Sequence, residues 1–137
     1  MANDFEVGID VGVPPDAAWA LAGDPARVTE WFSAAVECEV VGDERRVVLA
    51  NGARLVERLV DRDDVAREYS YVVESGIPGL TSHRATVRVV EAPGGSRVLW
   101  RQQATSDVEG YDIESRLRGV MTGGLERLRD ILEGAAA

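Results

Sequence analysis

From Asp112 to Glu133 apolar residues recur with the period of an α-helix and with hardly a break. At 100° per residue, Ile113, Leu117, Val120, Met121, Gly124, Leu125, Leu128, Ile131 and Leu132 fall within an arc of about 140°. Arg116, Arg118, Glu126, Arg127, Arg129, Asp130 and Glu133 occupy the rest of the circumference. Glu114 alone intrudes, in the first turn, where a carboxylate suits the helix dipole. A helix with so long an apolar face needs a broad apolar partner. The rest of the chain offers mainly strands, so it is expected to form a sheet that holds this helix.

The preceding segments fit that role. Phe5, Val7, Ile9, Val11 and Val13 alternate with polar residues and glycines, which predicts a strand with one buried face. Pro14-Pro15-Asp16 ends it and opens a short helix over Ala17–Ala22, with proline near the first turn. Asp24-Pro25 starts a second short helix through Trp31-Phe32, with Asp24 as its N-cap. Strands follow at Val36–Val40, Arg46–Ala50, Arg54–Asp61, Arg67–Glu74, Ser82–Val90 and Arg97–Thr105. Asn51-Gly52 between two of them is a strong hairpin signal. The alanines after Gly134 read as a frayed tail. The expectation is a single α+β domain over residues 1–137. About seven antiparallel strands would form a curved sheet around the C-terminal helix, with two short helices after the first strand.

Length and charge bound the function. A chain of 137 residues supports one core and not two. No apolar run approaches membrane-span length, which argues against membrane insertion. A formal net charge of −9 argues against nucleic acid or an anionic membrane as the main partner. The opening Met1-Ala-Asn-Asp lacks the features of a signal peptide, and the single cysteine, Cys38, excludes an internal disulfide. Both favour the cytoplasm. No metal-ligand cluster, phosphate loop or dinucleotide fingerprint occurs, so neither metal nor cofactor is expected. Nothing in the sequence chooses between monomer and homodimer.

The chain resembles the START-like, helix-grip (SRPBCC) superfamily in its polyketide cyclase/dehydrase branch. The resemblance rests on Val13-Pro14-Pro15-Asp16-Ala17-Ala18-Trp19 with Leu21 and Asp24, on Trp31-Phe32, and on Leu55-Val56-Glu57-Arg58-Leu59. It continues through Tyr69-Ser70-Tyr71, His83–Val89, Arg97-Val98-Leu99-Trp100 and the Leu125–Leu128–Leu132 helix. It implies a cavity for a small hydrophobic, aromatic or polyketide-like molecule between helix and sheet. It also implies one of several roles: cyclase or dehydrase, carrier or sensor, or protein-interaction module. Fold alone does not choose among them.

Strand alternation gives the side chains expected to face such a cavity. With Tyr69 and Tyr71 inward, the same face carries Leu55, Glu57 and Leu59; His83, Ala85 and Val87; and Val98, Trp100 and Gln102. A bulge in any strand would flip its assignment. His83, the only histidine, is a candidate general base or ligand contact; alternatively it is a hydrated residue at the strand mouth. Glu57, flanked by leucines, is a candidate general acid whose carboxyl burial would weaken. The other reading of Glu57 is a structural carboxylate paired with an arginine or a tyrosine hydroxyl, since an unpaired buried charge is too costly. Tyr69, Tyr71, Trp100 and Gln102 from the sheet, Leu117 and Met121 from the long helix, and Trp31 at the entrance complete the expected ligand contacts. Gly124, on the apolar helix face, makes either ligand room or close packing.

Overall fold

The computed structural model describes residues 2–110 and 112–134, so the expected tail at 135–137 lies outside the described residues. Strand β1 (Ala2–Val11) leads into helix α1 (Pro15–Ala22). A 3-10 turn over Pro25–Arg27 then runs into α2 (Val28–Trp31). Six strands follow: β2 (Ala35–Val41), β3 (Glu44–Leu49), β4 (Arg54–Asp63), β5 (Glu68–Ser75), β6 (Leu80–Ala92) and β7 (Gly95–Ser106). Helix α3 (Ile113–Gly134) closes the chain. The local chemistry is as expected at the breaks. Asp24 accepts from the Ala26 N–H at 3.0 Å, and Asn51 Oδ1 accepts from the Ala53 N–H at 2.9 Å beside Gly52, whose φ is +87°.

The seven strands form one antiparallel sheet in the order β1-β7-β6-β5-β4-β3-β2. All neighbours are consecutive in sequence except β1, which pairs with β7 and so brings the two ends of the chain together. Helix α3 packs mainly on β1, α1 packs on β6 and β7, and α2 packs on β2 and α3. Bulges interrupt β4–β5 at Val56/Glu57 and Leu59/Asp61, yet the inward phase of β4 survives, with Leu55 and Glu57 both buried.

The buried face of α3 is narrower than its apolar arc. Ile113, Met121, Gly124, Leu125 and Leu128 are buried, Leu117, Ile131 and Leu132 are half-buried, and Val120 is 44% exposed. Gly124 resolves to close packing: a Cβ there would come within 3.0 Å of the Phe32 ring, so the missing side chain lets the end of α2 sit on α3.

Candidate functional site

Sheet and helix do not meet along their whole length. Beside the N-terminal half of α3 they enclose a cavity of about 260 Å³. This lies just under the lower end, about 300 Å³, of pockets that take drug-sized molecules. Strand alternation supplies the walls: Leu55 and Glu57 from β4, Tyr71 and Val73 from β5, Leu80 and His83 from β6, Trp100 and Gln102 from β7. Ile113, Leu117, Val120 and Met121 of α3 face them. Phe32 and Ala34 beyond α2, Leu49 of β3 and Ile77 of the β5–β6 loop close the rim. The exposure of Val120 marks the mouth, between α3 and that rim.

Among these mostly apolar walls, Glu57 carries the one carboxylate. It is 5% exposed and accepts a hydrogen bond from Arg45 Nε at 2.7 Å. Arg45, 2% exposed, is its cross-strand neighbour on β3. The guanidinium also donates to the Pro25 carbonyl at 3.1 Å and to the Tyr69 hydroxyl at 3.4 Å, and it stacks 4.6 Å from the centre of the Tyr71 ring. Burial pushes the Glu57 carboxyl above the usual carboxylate range, and Arg45 only partly pulls it back. Burial weighs against the charge on Arg45 as well, but Tyr69 and Glu57 outweigh it, and the guanidinium stays charged.

His83 sits at a seam. The β5–β6 ladder ends at Tyr71↔Ala85. Two residues beyond, Val73 still pairs with Glu57 of β4, and on the β6 side its N–H donates to His83 Nδ1 at 3.0 Å. That bond fixes the tautomer: Nδ1 holds the lone pair and Nε2 holds the proton, which it donates to Gln102 Oε1 at 2.7 Å. Burial holds the imidazole below its ordinary pKa and outweighs the Gln102 bond, which acts in the other direction. The neutral ring therefore straps β5, β6 and β7 together. Its only basic lone pair is occupied by a backbone amide.

Two of the expected contacts lie elsewhere. Tyr69 is buried and inward-facing, but it is not part of the cavity wall. Two residues along a strand is about 7 Å, which carries Tyr69 under α1, against Trp19 at a ring separation of 6.2 Å. Trp31, expected at the entrance, is 1% exposed. The packing of α2 on α3 turns its ring inward, 5.3 Å from Trp100 and 6.4 Å from Phe32, so Phe32 and not Trp31 borders the cavity. Glu57, Tyr71, His83, Trp100, Gln102, Leu117 and Met121 do line it. Arg45 was absent from the sequence reading although its signal was there. A hairpin centred on Asn51 places residue 45 opposite residue 57, so an inward Glu57 faces an inward Arg45.

Among the described residues no group of three or more His, Cys, Asp or Glu side chains is arranged to hold a metal, and no helix is long and apolar enough to cross a membrane. A seven-stranded antiparallel sheet gripping a C-terminal helix over an apolar cavity defines the helix-grip class of hydrophobic-ligand-binding folds. Within that class the chain belongs to the family described as polyketide cyclase/dehydrase and lipid transport, whose sequence profile matches residues 3–133. Solved structures agree on the fold. The protein XoxI of Bacillus cereus superposes with a TM-score of 0.83 at 20% identity, covering 100% of this chain and 99% of that one. Ara h 8.0201 gives 0.79 at 15% identity over 98% and 99% of the two chains. A protein from Thermobifida fusca gives 0.78 at 27% identity over 96% and 92%. No curated protein matches the sequence significantly.

Proposed function

We propose that this chain binds a small hydrophobic molecule, aromatic or polyketide-like, in the cavity under α3, and that it holds the molecule as a carrier or sensor without transforming it. The observation that carries the reading is the state of His83. A general base must offer its lone pair to the substrate, and here that lone pair accepts the Val73 N–H while the other nitrogen serves Gln102. Abstracting a proton would set an imidazolium N–H against a backbone N–H in a buried seam. The other titratable wall group, Glu57, is already bonded to Arg45. The apolar wall and its few polar groups suit recognition. An open cavity also weighs against the interaction-module reading, which needs no such space.

One observation favours a second reading, that of cyclase or dehydrase. Glu57 is a cavity-lining acid weakened by burial, the property a general acid needs. In that case turnover of a β-polyketone substrate mimic would fall by about 10²–10⁴-fold in Glu57→Gln. The binding reading is tested with the neutral fluorophore N-phenyl-1-naphthylamine. Native protein should enhance its emission saturably, a hydrophobic competitor should displace it, and Leu117→Trp, which fills the cavity from α3, should abolish the effect. Unchanged dye binding in a folded Leu117→Trp variant would put the dye elsewhere and refute the assignment.

A further inference from the structure

The polar atoms of the cavity wall are not all used by the protein. Gln102 spends its carbonyl oxygen on His83, and no described residue takes its amide N–H groups. Glu57 spends Oε1 on Arg45, and no described residue donates to Oε2. Neither leftover atom is sealed in packed protein, since the sealed orphans among the described residues are Asn3 Nδ2 and Trp31 Nε1. Both side chains are about 95% buried and line the cavity, so these free valences open into it. The Tyr71 hydroxyl accepts from Trp100 Nε1 at 3.1 Å, while its own O–H donates to no described residue.

These groups sit around one ring. Tyr71 lies under the Arg45 guanidinium, 5.8 Å from the His83 ring and in hydrogen-bond contact with Trp100. Gln102 is bonded to that same histidine. The inner wall thus presents one acceptor, Glu57 Oε2, and two donors, the Tyr71 O–H and the Gln102 amide. Its net charge is balanced: Arg45, behind the wall, neutralises Glu57.

We infer that this cluster is a polar subsite for a neutral hydroxyl on an otherwise apolar, compact aromatic ligand, with the hydroxyl donating to Glu57 and accepting from Tyr71 or Gln102. The inference rests on the proposed binding role and narrows it. A hydroxyl is the smallest group that both donates and accepts. A ligand carboxylate would meet the Glu57 carboxylate at contact distance. A ligand ammonium would find an anion whose charge is already matched by a fixed guanidinium, and would bring an unmatched positive charge into an apolar cavity. Ligands without any polar group leave three buried valences unsatisfied. The cavity volume limits the apolar part to about two fused rings, since it lies below the range of drug-sized pockets.

The test is calorimetric titration at pH 7 with three probes of one shape: 2-naphthol, 2-methylnaphthalene and 2-naphthoate. The expected order is 2-naphthol tighter than 2-methylnaphthalene by about ten-fold, one to two net hydrogen bonds, with 2-naphthoate the weakest. Tyr71→Phe and Glu57→Gln should each shrink the ratio of 2-naphthol to 2-methylnaphthalene affinity several-fold, with circular dichroism certifying that each variant is folded. Equal affinity for 2-naphthol and 2-methylnaphthalene would overturn the hydroxyl subsite while leaving the binding role intact. A 2-naphthoate affinity above that of 2-naphthol would overturn the choice of a neutral group. Failure of all three probes to bind would remove the binding role and the subsite with it.

Discussion

The two halves of α3 rest on the same sheet and meet opposite fates. At Leu125 and Leu128 of its C-terminal half the space is full: both, like Ala18, Leu21 and Ala22 of α1, are 3% exposed or less. Around its N-terminal half, Leu117 is half-buried, Val120 reaches solvent and the cavity opens. The sequence pattern of α3 is equally apolar in both halves, so the helix does not make the difference. What differs is the cover and the sheet. Helix α1 packs against β6, β7 and α3 at the closed end. At the open end the β5–β6 ladder has already parted, and a histidine side chain replaces the missing strand contact. Where the grip on the helix is left incomplete, a cavity remains.

The largest effect should come from the polar floor of the open end. Arg45→Leu leaves Glu57 buried without its partner and should cost about 3–5 kcal/mol at neutral pH in urea denaturation. Part of that loss should be recovered in acid. The folded-state pKa of Glu57 is raised, so its carboxylate costs stability above that pKa and the cost vanishes as pH falls through it to the unfolded value. A loss independent of pH would show that Glu57 is not the group left stranded.

The closed end is probed by Leu128→Ala, at a side chain with 0% exposure. It should cost about 2–5 kcal/mol through transfer and cavity terms. Val120→Ala at the open mouth should stay within about 0.5 kcal/mol. Similar losses at the two sites would erase the distinction between the halves.

A smaller effect concerns the seam. His83 has a folded-state pKa below its ordinary value near 6.5. It therefore contributes stability that is present above about pH 6.5 and is lost as pH falls from there through the folded-state value, because the unfolded chain takes the proton first. His83→Gln removes the titrating group and should flatten the stability profile below pH 6.5. A slope that survives the substitution would assign it to other groups.

Much of this contrast was legible in the residues, and the reasons it stopped are physical. The period of α3, the proline breaks and the Asn51-Gly52 hairpin are local signals, and they give the element order with ends shifted by a few residues. Period-two alternation placed Glu57, Tyr71, His83, Trp100 and Gln102 on the correct face. Alternation says which face, however, and not how far along it. Tyr69 shares its face with Tyr71 and lies under α1, outside the cavity. Trp31 and Phe32 adjoin in sequence, and only the docking of α2 on Gly124 decides which of them borders the space. Arg45 was recoverable from hairpin symmetry. The role of His83 was not, because its partner is a backbone amide released where two strands part.

The central claim, that the open end of the grip is the ligand site and the closed end is core, is tested most directly by methyl NMR. Spectra with labelled Leu, Val, Ile and Met methyls would be recorded as 2-naphthol is titrated in. Saturable shifts should appear at Leu117, Val120, Met121, Leu80 and Leu49, the residues that line the cavity. Leu128 and Val98, each 0% exposed and outside the cavity wall, should stay nearly still. Saturable shifts centred on Leu128 and Val98, or none at the cavity methyls at saturating probe, would contradict the account.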